Sequence, residues 1–251
     1  MPQIAERDAY RFIPGPFQYS AGVAAKPGFA MQRVRFANPV PLLEGFRRIE
    51  AYMTAEALPL TAFAACELRS PEPFTDAGFI AFNRDYVGTL ERWGIFRNDE
   101  NPVARSNVCP ELHKPGGPSF HAFSLAVPAP DAPSSASFVI AGSGEAQEGP
   151  GPYRERTVRY GDTSTEGMRD KIAHVMATME HRMAALDASW ADTTAAQAYT
   201  VFDIHPHFAA EIVARGGARH GLDWHYCRPP VVGLDFEMDC RCVHTERVLP
   251  T

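Results

Sequence analysis

The stretch Asn101-Pro-Val-Ala-Arg-Ser-Asn-Val-Cys109 places Arg105 in a run with the character of a β-strand, directly after a polar loop. A weaker version returns late in the chain, where Tyr226-Cys-Arg-Pro-Pro-Val-Val232 contains Arg228. Each arginine is followed by a second strand-like run, 118–127 and 234–243. Because a guanidinium is always charged and its planar fork of donors fits a carboxylate, two arginines in equivalent places suggest a duplicated domain with one or two anion-binding sites.

Composition limits the classes of protein to consider. The chain has 251 residues, of which 45% are apolar, so it can form one large domain or two small ones. Its net charge of -6 argues against a general nucleic-acid binder, which usually has a basic surplus. No apolar run approaches the roughly 18 residues that indicate a membrane span. The first residues lack the basic start and apolar core of a signal peptide, and we expect a cytoplasmic protein.

The order of predicted elements repeats. Each half reads strand, helix, strand, helix, arginine strand, strand, and such repetition is a stronger signal than a single motif. A Pro/Ser/Ala-rich linker, 129–137, separates an N-terminal domain, 1–128, from a C-terminal domain, 138–251. Apolar spacing predicts helices over 39–58, 74–93, 165–186 and 206–215, while 1–30 is interpreted as a loop leading into a strand. The five cysteines, irregularly spaced, are predicted to be buried thiols, without a metal site.

Four short motifs resemble those of the RidA/YjgF superfamily. Pro102-Val-Ala-Arg-Ser-Asn-Val108 is similar to its Pro-Ala-Arg strand with one residue inserted, and Cys227-Arg228 keeps part of that signature. Gly15-Pro16-Phe17 and Ala141-Gly-Ser-Gly144 resemble its Gly-Pro-aromatic start and its Ser-Gly turn. The resemblance implies an α+β fold of two tandem RidA-like (chorismate mutase-like) domains, each a mixed β-sheet with two helices on one face. It also implies a homo-oligomer, for example a trimer.

The function that the resemblance implies is hydrolytic deamination of a small carboxylated enamine or imine, either a 2-imino acid or an aminomuconate-type compound, with release of ammonia. Such a reaction needs neither a metal nor an organic cofactor, and the expected partner is this small substrate rather than a nucleic acid or a membrane. Two alternatives stay open. One is a chorismatase-like hydrolase of a cyclic carboxylated enol ether, and the other is a non-catalytic protein that binds a small acid or regulates.

Site residues follow from the same resemblance. Arg105 and Arg228 are expected to bind the substrate carboxylate, and Asn107 to hold the substrate. Asp239 and Glu237 are the candidate catalytic acids, and Asp239 is favoured because it matches the family glutamate. The alternative for these acids is an ordinary solvent-facing side of an amphipathic strand. The alternative for either arginine is a structural ion pair with a nearby acid.

Neither half has the complete family set. The first half has Phe123 at the position of the glutamate, with His121 as a possible substitute. In the second half Pro229-Pro230 follows the arginine, and proline has no N–H to donate. One half is therefore a decayed scaffold, or the site is composite, or the chemistry has diverged.

Further candidates lie in turns and at the N-terminus. Phe17 and Tyr19 are placed to stack on a planar substrate, unless they only pack the N-terminal arm. Ser143 and Glu145 lie on a glycine-flanked turn, where a backbone can approach a ligand closely, although such a turn is often only a turn.

Overall fold

The computed structural model describes residues 3–131, 137–149 and 151–250. Its strands are β1 (Ala5–Glu6), β2 (Tyr10–Ile13), β3 (Gly22–Ala25), β4 (Phe29–Pro41), β5 (Phe63–Arg69), β6 (Ala104–Pro110), β7 (Ser119–Pro128), β8 (Phe138–Gly144), β9 (Ala195–Tyr199), β10 (Asp223–His225), β11 (Cys227–Arg228), β12 (Glu237–Cys242) and β13 (Thr245–Leu249). Its helices are α1 (Leu42–Ala55), α2 (Asp76–Arg92), α3 (Tyr153–Arg156), α4 (Thr165–Ala185) and α5 (His205–His207). Two 3-10 turns (Leu60–Ala62, Trp190–Asp192) and a π-helical turn (Phe208–Val213) complete the list.

The two halves of the chain build equivalent four-stranded units. In the first half the strands are ordered β6-β5-β7-β4, and in the second half they are ordered β10-β9-β12-β8. Both units have one parallel pair, β5 with β6 and β9 with β10, and are otherwise antiparallel. The predicted mixed α+β architecture with a repeated order of elements is therefore confirmed.

Each four-stranded unit is extended by strands from elsewhere in the chain. The N-terminal strands β1, β2 and β3 join the sheet of the second half, where β3 pairs with β8. In return, β11 pairs with β6 and β13 pairs with β4 in the sheet of the first half. The prediction of a loop over 1–30 that leads into a strand missed β1, β2 and β3, in which Tyr10, Phe12 and Val23 are buried. This exchange ties the two halves together.

The two sheets pack face to face, and the helices cover their outer faces. One core lies between the first sheet and helices α1 and α2, and a second lies between the second sheet and α4 with the π-helical turn. In α1, Phe46, Ile49 and Met53 are buried, whereas Leu42 is partly buried and Leu43 is 70% exposed. The helix predicted over 206–215 is instead the short helix α5 followed by the π-helical turn Phe208–Val213, in which Val213 is 48% exposed.

Strand β12 is buried on both faces. Its apolar side chains Met238 and Cys240 pack toward α4, as the alternation predicts. The alternate residues Glu237, Asp239 and Arg241 are also buried, because the first sheet covers this face. The alternative of an ordinary solvent-facing side is therefore wrong. All five cysteines are buried free thiols, as predicted.

The predicted linker 129–137 falls largely on residues 132–136, which lie outside the described part of the chain, and the domain boundaries stay a prediction. Within the described ranges, no helix combines the length and the apolar character needed to cross a membrane.

Candidate active site

A cavity of about 620 Å³ opens where β6 and α2 of the first half meet β8, α4 and β12 of the second half. The N-terminal arm and the segment that follows β8 complete its walls. The charged and polar side chains that line it are Gln18, Tyr19, Asp76, Arg105, Asn107, Glu148, Tyr153, Arg156, Thr178, Arg182 and Glu237. The candidate site is therefore composite, which was one of the three possibilities left open by the sequence.

Arg105 extends from β6 beneath helix α2. Its guanidinium carbon lies 4.7 Å from the centroid of the Tyr86 ring and 5.6–5.7 Å from the centroids of the Tyr19, Phe79 and Phe82 rings. Its Nη1 is buried and has no hydrogen-bond partner among the described residues. Aromatic faces stabilise a cation without neutralising it, so the guanidinium keeps its capacity for an anion.

Asn107 lies two residues after Arg105, on the same face of β6. Its Oδ1 accepts a hydrogen bond from Ser70 Oγ at 2.9 Å, which fixes the orientation of the amide. Its Nδ2 is buried and has no partner among the residues that the structure describes. Buried donors are normally satisfied, so two such donors on one cavity wall indicate a ligand with acceptor oxygens. The structure thus brings together two predicted binding residues.

Glu237, at the start of β12, reaches the same cavity from the second half. Burial raises the pKa of its carboxyl well above the ordinary value, and the nearby charges of Asp239 and Glu145 raise it further, while Arg105 opposes them. A Cβ on Gly142 would lie 2.1 Å from Glu237 Oε1, so only glycine leaves room for this carboxyl. The result is a carboxylic acid that stays protonated to higher pH than an exposed glutamate.

Asp239, which the sequence favoured over Glu237, does not line this cavity. Its carboxylate accepts hydrogen bonds from Ser106 Oγ at 2.5 Å, Gln197 Nε2 at 2.8 Å and Tyr199 Oη at 2.9 Å. The bond from Ser106 on β6 connects the facing sheets, whereas Gln197 and Tyr199 lie on β9 beside β12, and the carboxylate is enclosed between the sheets. The geometry favours Glu237 over Asp239 as the acid of the cavity because β6 packs directly on Asp239, which the alternation of one strand cannot reveal.

Arg228 does not occupy a place equivalent to Arg105. The strand equivalent to β6 is β10, whereas Arg228 lies on β11, which belongs to the sheet of the first half. Its Nε donates to Glu111 at 2.8 Å, in a partly exposed ion pair outside the cavity lining. The geometry therefore matches the structural alternative for this arginine.

Phe17 also lies outside the cavity lining, since its ring packs against the first core with the Arg84 guanidinium 3.9 Å from its centroid. Tyr19, two residues later, is the aromatic residue of this arm that lines the cavity. His121, considered as a replacement acid, is mostly buried elsewhere, and burial lowers its pKa to about 3. A neutral imidazole of this kind is a poor proton donor at neutral pH.

Ser143 accepts a hydrogen bond from a cavity residue that the sequence did not identify. Its Oγ accepts a hydrogen bond at 2.7 Å from Nη1 of Arg182, a buried arginine on α4 that lines the cavity. Arg182 lies within the methionine-rich buried face of α4, between Met179 and Met183. A charged residue within a mostly apolar helix face is the signal that could have revealed it, because burying an arginine is costly unless it is paired.

Glu145 stabilises the backbone next to the cavity. Its carboxylate accepts hydrogen bonds from the backbone N–H groups of Asp235 and Phe236, and the Lys171 ammonium lies 3.5 Å from its Oε1. Burial raises the pKa of this carboxyl to about 7 against the opposing effect of these hydrogen bonds and of Lys171. These contacts join the end of β8 to the residues preceding Glu237 and fix where β12 begins.

Comparison with known proteins identifies the family of this chain. The family described as "2-aminomuconate deaminase CnbZ" matches residues 3–247. The chain belongs to this family. A protein of Comamonas testosteroni named 2-amino-5-chloromuconate deaminase is 52% identical over 240 residues, covering 96% of each chain. A crystal structure of a chorismatase superposes with a TM-score of 0.49 and 11% identity, covering 96% of this chain and 79% of that one. The class predicted from the sequence, a deaminase, is confirmed by the family.

The contact between Gly142 and Glu237 predicts a stability effect. Gly142→Ala should lower the free energy of unfolding by about 1–3 kcal/mol, because the new methyl group displaces the buried carboxyl. Gly88→Ala on α2 is the matched control, since its Cβ would meet only Arg92 Nη1 at 4.0 Å. Chemical denaturation measures both. The combination with Glu237→Ala should lose less than the two single variants added together, and full additivity would contradict the contact.

Proposed function

We propose that this protein is a hydrolytic deaminase of a 2-aminomuconate-type substrate, a conjugated six-carbon enamine with a carboxylate at each end. The observation that carries the proposal is the buried Nη1 of Arg105, which has no hydrogen-bond partner among the described residues; this side chain shares one cavity with the Asn107 amide and the buried Glu237 carboxyl. A carboxylate that binds Arg105 would satisfy the unpaired Nη1, and Asn107 Nδ2 would donate to a second acceptor oxygen.

In the proposed reaction Glu237 carries protons between the substrate and water. The protonated carboxyl first donates to a carbon of the enamine, which becomes an iminium. The resulting carboxylate then accepts a proton from water as the oxygen bonds to the iminium carbon, giving a carbinolamine. Protonation of the amine by Glu237 prepares the C–N bond to break. As the ketone forms, the hydroxyl proton returns to Glu237 and ammonia leaves.

Each step in this sequence moves protons and one water molecule, with no net oxidation or reduction. The proposal therefore includes no redox cofactor. The raised pKa of Glu237 supports its role, because an acid that stays protonated to higher pH than an ordinary glutamate can donate to a weakly basic carbon. The enclosing rings of Tyr86, Phe79 and Phe82 would also limit the access of bulk water to the Arg105 side of the cavity.

We also propose that the two equivalent four-stranded units are RidA-like domains in tandem. The repeated strand order and the Arg105 motif support this relationship. In this proposal the first half supplies the carboxylate-binding arginine and the second half supplies the acid, so one composite site replaces two complete ones.

If Arg105 binds the substrate carboxylate, replacing Arg105 should weaken substrate binding, whereas replacing Arg228 should have little effect. Arg105→Gln should raise the KM for 2-aminomuconate by about 10- to 100-fold, the loss of charge-assisted hydrogen bonds worth about 1.5–3 kcal/mol. Arg228→Gln is the matched control and should change KM less than about threefold, since its partner Glu111 is solvent-accessible. Steady-state ammonia release measures both. The proposal would be contradicted if Arg105→Gln left KM unchanged while Arg228→Gln raised it.

The proton-transfer role predicts a pH profile. Because the protonated form of Glu237 starts the reaction, kcat/KM should be level at lower pH and fall as pH rises through the Glu237 pKa, which lies well above 4.5. Glu237→Gln should lower kcat by about 100-fold or more, the usual contribution of a general acid, and Asp239→Asn should retain the alkaline fall. A wild-type rate that instead declines with falling pH near 4.5 would exclude this role.

A further inference from the structure

The cavity has a second guanidinium, on the wall formed by α4. Arg182 is buried, with 7% of its side chain exposed. It donates to Ser143 Oγ at 2.7 Å and approaches the Ala141 carbonyl oxygen at 3.5 Å, so β8 holds its position. Its other terminal nitrogen, Nη2, donates a hydrogen bond of 2.5 Å to the carboxylate of Glu148 and so forms an ion pair.

The two partners of this ion pair have very different surroundings. Glu148 lies on the segment after β8 and is 65% exposed, whereas Arg182 is held inside the protein. Ion pairs with a solvent-exposed partner contribute little net free energy, since the exposed charge is well hydrated when it leaves. A buried guanidinium without an anion is costly by comparison. Glu148 can therefore be displaced at small cost, provided that another carboxylate takes its place on Arg182.

Arg105 and Arg182 face a common space. Both line the same cavity, one from β6 of the first half and the other from α4 of the second half. Tyr19 lines the cavity with both arginines, its ring centroid lies 5.7 Å from the Arg105 guanidinium carbon, and both positive charges oppose the rise in the pKa of its hydroxyl that burial causes. A ligand with an anionic group at each end could thus bind one group at each arginine.

We propose that Arg182 binds the second carboxylate of a dienedioate substrate, and that Glu148 occupies this position on Arg182 when the substrate is absent. The inference rests on the proposed function and adds the basis of selectivity for a dicarboxylate. A monocarboxylate would leave the Arg182–Glu148 ion pair intact and would gain no binding free energy from the wall formed by α4. Displacement of Glu148 lowers the apparent affinity for a dicarboxylate, because only the fraction of molecules with a free Arg182 binds it directly.

Two unreactive probes isolate the second carboxylate. Muconate is a six-carbon dienedioate, and sorbate is a six-carbon diene with one carboxylate. Isothermal titration calorimetry with both compounds, on the wild-type protein and on Arg182→Gln, Glu148→Gln and Glu155→Gln, measures the preference without any need for turnover. Glu155 is an exposed glutamate of the same segment and serves as the matched control for Glu148.

The wild-type protein should bind muconate at least about 10-fold more tightly than sorbate, as expected for one added charge-assisted contact. Arg182→Gln should abolish this preference by weakening muconate alone. Glu148→Gln should strengthen muconate binding severalfold and leave sorbate unchanged, and Glu155→Gln should behave as wild type. A preference that survives in Arg182→Gln, or a muconate affinity that does not rise in Glu148→Gln, would overturn the inference.

Two further outcomes of these experiments are interpreted separately. If Arg182→Gln fails to fold, which thermal denaturation reports, Glu148→Gln decides the question because it leaves Arg182 and its bond to Ser143 in place. If the preference depends on Arg182 but the wild-type protein releases no ammonia from 2-aminomuconate, the deaminase proposal fails while the dicarboxylate site stands.

Discussion

The buried positive charge of Arg105 is the feature on which the rest of this site depends. A guanidinium cannot lose its proton to lower the cost of burial, so its surroundings must stabilise the charge. Here that stabilisation comes from the four rings of Tyr19, Phe79, Phe82 and Tyr86, while Nη1 has no hydrogen-bond partner in the described part of the chain. The arrangement keeps a buried guanidinium at the cavity, where in the proposed function it binds a carboxylate.

The exchange of strands makes this site possible. Because β3 of the first half pairs with β8 and β11 of the second half pairs with β6, each sheet contains strands of both halves, and this exchange helps to hold the packed sheets that carry Arg105 and Glu237 together. The contacts of Glu145 with the backbone of Asp235 and Phe236 then fix the start of β12. A cation and an acid from different halves of the chain thereby line one cavity. Their separation in sequence explains why neither half has a complete set by itself.

Sequence patterns predicted much of this structure where the relevant forces act within one element. Helical spacing located α1, α2 and α4, and the Arg105 motif predicted two residues that share the cavity. The failures involve contacts between elements. Asp239 and Glu237 are indistinguishable on one face of a strand, and only the packing of the two sheets shows that Glu237 lines the cavity while Asp239 is enclosed between the sheets. Arg228 repeats a motif but belongs to the other sheet, and Arg182 was hidden within an apolar helix face.

If Arg105 binds the substrate carboxylate in a site shared by the two halves, a crystal structure of the protein with bound muconate should show a carboxylate within hydrogen-bond distance of both Arg105 Nη1 and Asn107 Nδ2, with the ligand lying beside Glu237. A ligand bound at Arg228, or a protein carboxylate paired with Arg105 while muconate binds elsewhere, would exclude this role of Arg105.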